Sequence, residues 1–232
     1  MAKLAGAIAF ALFVHLWWRA AGVATGPVWL QFDRAPAVAW DLALLALFFA
    51  AHSGFASEIF KRRVGLAREA MRRLYLWLTL PVMLVVWGLF VPLGEPALWD
   101  VRGRFDWALI ALRMVALAGL FWTVRSFSLP DFFGDPRPGS PTGGPARLSV
   151  KGAFVLCRHP LYFFMTLLAA AEAFMPLGRA LLAGSLLVYV AVGSHLEERK
   201  LARDFGADYV DYRARTPWLV PTPASIWRAL RR

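Results

Sequence analysis

Arg158-His159-Pro160-Leu161-Tyr162 and Glu197-Glu198 are the two clusters of this 232-residue chain whose residue types and spacing can do chemistry. They stand at the far ends of two apolar arms joined by the turn Met175-Pro176-Leu177-Gly178-Arg179. About 17 residues run from Pro160 to the turn, and about 19 from the turn to Glu197. At ~1.5 Å per helical residue the arms reach nearly the same depth. An antiparallel helical hairpin then brings His159 and Glu197 together at one membrane face. A guanidinium, an imidazole and a phenol facing a carboxylate pair form a cradle for a zwitterionic ligand, held by charge-assisted hydrogen bonds.

The elements that must position these groups are read from hydropathy. The chain is 59% hydrophobic, with a mean hydropathy of +0.53, against about 45–50% apolar residues in ordinary soluble domains. The excess is gathered into runs, so the fold class is all-α, an integral membrane helical bundle. A span needs roughly 20 apolar residues. Runs at 4–22, 37–57, 74–93, 105–124, 161–176 and 180–196 give about six spans, the last two forming the C-terminal hairpin. Pro81 is expected to kink the third run or break its first turns. The eleven tryptophans suit membrane interfaces.

The net charge of +11 does not point to nucleic acid, because the basic residues lie in loops between apolar runs. With six spans, twenty Lys and Arg fall on one side and five on the other, leaving Arg113 inside a span. That asymmetry places both termini and the Arg158/Glu197 site in the cytoplasm, in a membrane expected to be a bacterial inner membrane. The bilayer is thus one partner, and its anionic headgroups suit the basic loops. The single Cys157 excludes an internal disulfide and a cysteine zinc site, and four scattered histidines give no metal spacing. We read 1–232 as one membrane domain: 1–125 as four spans, 126–160 as a cytoplasmic loop, 161–196 as the hairpin, and 197–232 as a tail completing the site. The Pro- and Gly-rich stretch 129–145 reads as a loop, either a lid over the site or a plain linker. Ile226-Trp227-Arg228-Ala229-Leu230-Arg231-Arg232 reads as a short interfacial helix.

Taken in order, Arg158-His159-Pro160-x-Tyr162, the apolar hairpin, Glu197-Glu198-Arg199-x-Leu201, Phe205-Gly206, Tyr209, Tyr212, Pro217 and Pro221 resemble the isoprenylcysteine carboxyl methyltransferase superfamily. The resemblance covers about 75 residues, Leu148 to Pro223. Upstream, Ala51-His52-Ser53 before Lys61-Arg62-Arg63, together with Phe132-Phe133-Gly134, look like the methanethiol S-methyltransferase branch. The resemblance implies a membrane enzyme using S-adenosylmethionine, with its cofactor site at the cytoplasmic face.

By their charges Glu197 and Glu198 can bind the cofactor's ammonium and Arg158, with Arg215 as a further candidate, its carboxylate; the resemblance implies the same roles for Arg158, Glu197 and Glu198. His159 and Tyr162 hydrogen-bond or pack on the nucleoside, Pro160 opens the helix beside them, and Tyr209 and Tyr212 stand near the pocket. Each has a plainer reading. Arg158 suits a membrane boundary, Glu197-Glu198 a solvated helix start, and Tyr209 and Tyr212 simple packing at the surface. Cys157 reads as a small buried residue rather than a nucleophile. A small residue usually stands where this chain has Phe164, so the acceptor is expected to be smaller than a prenyl group, or the path narrowed. His52, with Arg158, is a catalytic candidate: an imidazole near neutral pH can deprotonate a thiol or orient an acceptor. The alternative is a His held by a backbone carbonyl. Arg113 and Glu172 are expected to pair as a structural ion pair, or Arg113 to snorkel outward.

The expected activity is transfer of a methyl group from S-adenosylmethionine to a small thiol, a carboxylate or a lipid-like acceptor. An NADPH-dependent membrane reductase of similar architecture is a competing reading, disfavoured by the acidic Glu197-Glu198 pair where phosphates would bind. A non-enzymatic membrane factor is the other.

Overall fold

The computed structural model describes residues 2–21, 30, 32–126, 148 and 150–231. The stretch 129–145, with Phe132-Phe133-Gly134, lies outside the described residues. The described chain is mostly helical: α1 Ala2–Arg19, α2 Arg34–Ala56, α3 Glu58–Val64, α4 Arg68–Leu89, α5 Arg104–Ser126, α6 Pro160–Ala170, α7 Leu177–Phe205, α8 Ala207–Arg215 and α9 Pro223–Leu230. Short strands β1 Ala97–Asp100 and β2 Phe174–Pro176 pair antiparallel, and a 3₁₀ turn covers Gly152–Val155.

Among the described residues, four helical stretches are long and apolar enough to cross a membrane: Arg34–Ala56, Ala70–Leu89, Arg104–Ser126 and Leu177–Phe205. They match the second, third, fourth and sixth expected runs. The fifth run differs. α6 has only 11 residues, about half of the ~20 that a span needs. Its helix gives way to β2, whose extended backbone pairs with β1. Hydropathy cannot register that change, because Phe174 and Met175 are as apolar in a strand as in a helix. α7, by contrast, runs 29 residues and carries Glu197 and Glu198 within its final turns rather than at a helix start. α4 continues through Pro81 without interruption; the cost is the helical hydrogen bond that the missing N–H would have given.

Contacts divide the chain into two compact units. The described residues of the first lie within Met1–Val101 and Ala173–Ser185. Its core gathers Leu16, Leu44, Leu45, Met83, Val86 and Phe90, where α1 and α2 pack on α4. One peptide unit at the end of α4 is gripped from both sides: Arg19 donates to Phe90 O at 3.2 Å, and Val91 N–H donates to Asp41 Oδ1 at 2.9 Å. Both side chains are essentially fully buried. A helix end buried in apolar surroundings needs such partners for its free polar groups.

The second unit holds described residues within Arg102–Leu129, Arg137–Glu172 and Leu186–Arg232. α6 packs along α5, and the 3₁₀ turn sits between α5 and α9. Gly152 opens that turn at φ +57, and a Cβ there would collide with Ser126 Oγ. Ser126 Oγ instead accepts from Ala153 N at 3.3 Å and donates to Trp122 O at 2.9 Å. Arg113 and Glu172 form the expected ion pair, 2.8 Å apart. Phe164 is buried with its ring directly over Gly119 of α5, leaving no room for a Cβ there. The bulky side chain at this position is therefore committed to the α5–α6 seam, and Gly119 is the residue that admits it.

Gly119→Ala is expected to lower stability by about 1–3 kcal/mol through overpacking, despite alanine's better helix propensity. Thermal denaturation in detergent should show the loss, with part of it recovered when Phe164→Leu is added. An unchanged melting temperature for Gly119→Ala would contradict this seam.

Candidate functional site

Arg158 and His159 sit between the 3₁₀ turn and α6 and are fixed through their main chain first. Arg158 N donates to Pro217 O at 2.9 Å, and His159 N to Trp218 O at 3.2 Å. His159 is the N-cap residue of α6 and Pro160 its first helical residue, where a missing N–H costs no helical bond. The dipeptide is thus clamped between the start of α6 and the segment that follows α8.

The Arg158 side chain then turns to α7. Its Nε donates to Glu198 Oε1 at 2.6 Å, while NH1 donates to the carbonyls of Thr216 at 2.8 Å and Arg213 at 3.1 Å. The same Glu198 oxygen lies 3.3 Å from His159 Nε2, and Arg213 Nε approaches Oε2 at 3.8 Å. Glu198 is only 6% exposed. Burying a carboxylate is tolerated here because three cationic or donor groups converge on it.

Glu197 differs from its neighbour. Its side chain is 47% exposed and lies 3.6 Å from His159 Nδ1. Adjacent positions on one helix therefore divide into a committed carboxylate, Glu198, and an available one, Glu197. The sequence treats the pair as equivalent, and the burial difference separates them.

The aromatic groups arrange around this knot. His159 stacks on Tyr162, with ring centroids 5.6 Å apart and planes at 14°. Tyr212 hydroxyl donates to Phe154 O at 2.8 Å, and its ring meets Tyr209 edge-on at 6.0 Å. Tyr209 is 1% exposed, and its hydroxyl has no hydrogen-bond partner among the described residues. A buried orphan donor is costly unless a ligand or water completes it. Beside Glu198 and Arg213 opens a cleft of about 680 Å³, bordered also by His195, Arg199, Ala202 and Arg203.

The electrostatics follow burial. Desolvation holds the His159 imidazole below its ordinary value, outweighing the pull of Glu197 and Glu198. A neutral ring with its proton on Nε2 donates to Glu198, an assignment made from the hydrogen-bond partners. Burial, reinforced by the nearby Glu198 charge, pushes the Tyr209 phenol up to about 12, and burial raises the Tyr212 phenol as well. Both remain protonated donors near neutral pH. Burial pushes the Cys157 thiol up to about 12, so it stays a thiol near neutral pH.

His52 belongs to the first unit. Tyr75 hydroxyl lies 2.7 Å from its Nε2 and 2.9 Å from its Nδ1, and Phe48 stacks on the ring at 5.5 Å. The Tyr75 phenol is thus one partner of the ring. The sequence reading missed Tyr75, which sits 23 residues away and carries no motif. It also missed the carbonyls of Arg213, Thr216, Pro217 and Trp218. Backbone acceptors leave no side-chain signature, although Pro217 marks their segment.

No family model matches the chain, and no solved structure matches it. Curated relatives do. The chain is 30% identical over 192 residues to methanethiol S-methyltransferase 2 of Bradyrhizobium diazoefficiens, covering 80% of this chain and 73% of that protein. It is 29% identical over 214 residues to the methanethiol S-methyltransferase of Pseudomonas deceptionensis, covering 82% and 77%. Identity to the Mycobacterium tuberculosis methanethiol S-methyltransferase is 29% over 215 residues, covering 81% and 79%.

The lowered His159 value carries a pH signature. Its contribution to stability is complete above the unfolded value of 6.5. It is lost as pH falls toward the lower folded value, because the unfolded chain then binds a proton that the folded site resists. Melting temperatures recorded from pH 7.5 to pH 5 should fall more steeply for the wild type than for His159→Gln. Parallel curves would show that this imidazole is not held neutral.

Proposed function

Because the chain belongs to the methanethiol S-methyltransferase family, we propose that it is an integral membrane methyltransferase. It takes the methyl group from S-adenosylmethionine and gives it to a small thiol of the methanethiol type. We further place it in the isoprenylcysteine carboxyl methyltransferase superfamily, with its site and both termini on the cytoplasmic side. The observation that carries the reading is the polarised knot at the end of α7: a guanidinium positioned by buried Glu198, beside the available carboxylate of Glu197.

S-adenosylmethionine supplies a sulfonium-activated methyl group, with an ammonium and a carboxylate at one end and an adenosine at the other. The residues present fit it. Glu197 accepts from the ammonium and Arg158 donates to the carboxylate. Tyr162, stacked on His159, offers a ring face for the nucleoside. The orphan Tyr209 hydroxyl is a donor awaiting an acceptor. Glu198 orients Arg158 and His159 without touching the cofactor.

Methyl transfer is a displacement. The thiolate sulfur forms a bond to the methyl carbon, the bond from that carbon to the sulfonium sulfur breaks, and its electron pair stays on the departing thioether. Methanethiol would thereby become dimethyl sulfide. Alignment dominates the rate, and the thiol must first lose its proton, because the thiolate is the nucleophile.

Purified protein in detergent should bind S-adenosylmethionine saturably and release labelled dimethyl sulfide from methanethiol. Glu197→Ala should weaken cofactor binding by about 10- to 100-fold, the loss of a hydrogen bond to a charged group. Absence of cofactor binding by the wild type would overturn the reading.

A further inference from the structure

A second cleft of about 760 Å³ opens where the segment after α8 meets α9. Four arginines line it, Arg158, Arg213, Arg215 and Arg228, with Thr222 and Trp227, and among the described residues no carboxylate side chain borders it. Arg158 and Arg213 are partly neutralised by Glu198, and Arg215 lies 3.3 Å from Asp211. Arg228 is different. Its recorded hydrogen bond is to a carbonyl, Arg215 O at 2.8 Å, which leaves its charge uncompensated among the described residues.

Beside the cleft, α9 shows an apolar, exposed stripe. Ile226, Trp227 and Leu230 are 43%, 56% and 76% exposed, and their spacing places them on one stripe. Arg231 stacks over the Trp227 ring at 4.4 Å. The helix is nevertheless firmly built: Thr222 and Ser225 cap each other reciprocally, Pro223 opens the first turn, and α9 packs on the 3₁₀ turn. A rigid helix that shows an apolar stripe beside an acid-free cationic cleft matches one partner best. The stripe suits acyl chains and glycerol, and the cleft suits a phosphate.

We propose that this cleft docks the phosphate headgroup of an anionic membrane lipid, with Arg228 as its principal charge and the Ile226-Trp227-Leu230 stripe in the adjoining bilayer interface. The proposal rests on the membrane reading above but not on methyl transfer. Occupancy bears on the candidate site, because residues 213–216 are held from one side by Arg158, through the carbonyls of Arg213 and Thr216, and from the other by Arg228.

The test is direct lipid binding, which needs no turnover. Detergent-purified full-length protein is titrated with dihexanoyl phosphatidylglycerol, dihexanoyl phosphatidylcholine and glycerol phosphate, and bound lipid is counted by native mass spectrometry. The wild type should hold phosphatidylglycerol at least about tenfold more tightly than phosphatidylcholine. Arg228→Gln should lose about fivefold of that, the contribution of one basic residue at a charged membrane surface, while Arg228→Lys keeps most of it. Raising salt should weaken phosphatidylglycerol binding by the wild type and leave phosphatidylcholine unaffected. Equal affinity for the two lipids, or an undiminished preference in Arg228→Gln, overturns the proposal. Glycerol phosphate that competes as well as the lipid would show a free-anion site and also overturn it.

Discussion

One buried carboxylate organises the second unit. Glu198 lies near the end of a long helix in surroundings where an unpaired charge would cost several kcal/mol, so its partners must arrive in fixed geometry. Two of them are neighbours in sequence, Arg158 and His159. Because Pro160 follows at once, satisfying Glu198 also sets where α6 begins. Because the main chain of the same two residues bonds to Pro217 and Trp218, it also sets the path of the segment after α8. Three stretches of chain, about forty and twenty residues apart, are tied through one pair of oxygens.

That economy explains why adjacent glutamates behave differently. A carboxylate saturated by a guanidinium and an imidazole is a poor ligand for anything else, whereas its half-exposed neighbour keeps its lone pairs for a visiting cation. On the function proposed, the rigid member holds the binding groups in place and the exposed member does the binding. This suits a displacement reaction, in which a misplacement of about 1 Å can cost far more than a modest change in charge.

Much of this could be read from residue order. Apolar runs located four helices, although α7 continues well past the expected end at 196 to Phe205, and the clustering of Arg158, His159, Tyr162 and the two glutamates followed from matching arm lengths. The hairpin itself was too regular an expectation. α6 stops at Ala170 and the chain becomes a strand, a choice made by pairing with Ala97–Asp100, which no local pattern announces. Phe164 looked like an obstruction because its counterpart, Gly119, lies 45 positions earlier and has no side chain to advertise it. Tyr75 beside His52, and the carbonyls that grip Arg158, escaped notice for a similar reason. Tertiary partners far away in sequence, and main-chain acceptors of any residue type, leave no mark on composition or periodicity.

The most direct measurement is a double-mutant cycle on Arg158→Gln and Glu198→Gln, read as S-adenosylmethionine affinity by calorimetry on purified protein. If Glu198 acts by holding Arg158 open, each single change should weaken binding by a similar factor. The double variant should then be no worse than either single one, giving a large coupling energy. Losses that simply add, or a Glu198→Gln protein that binds like the wild type, would contradict the account.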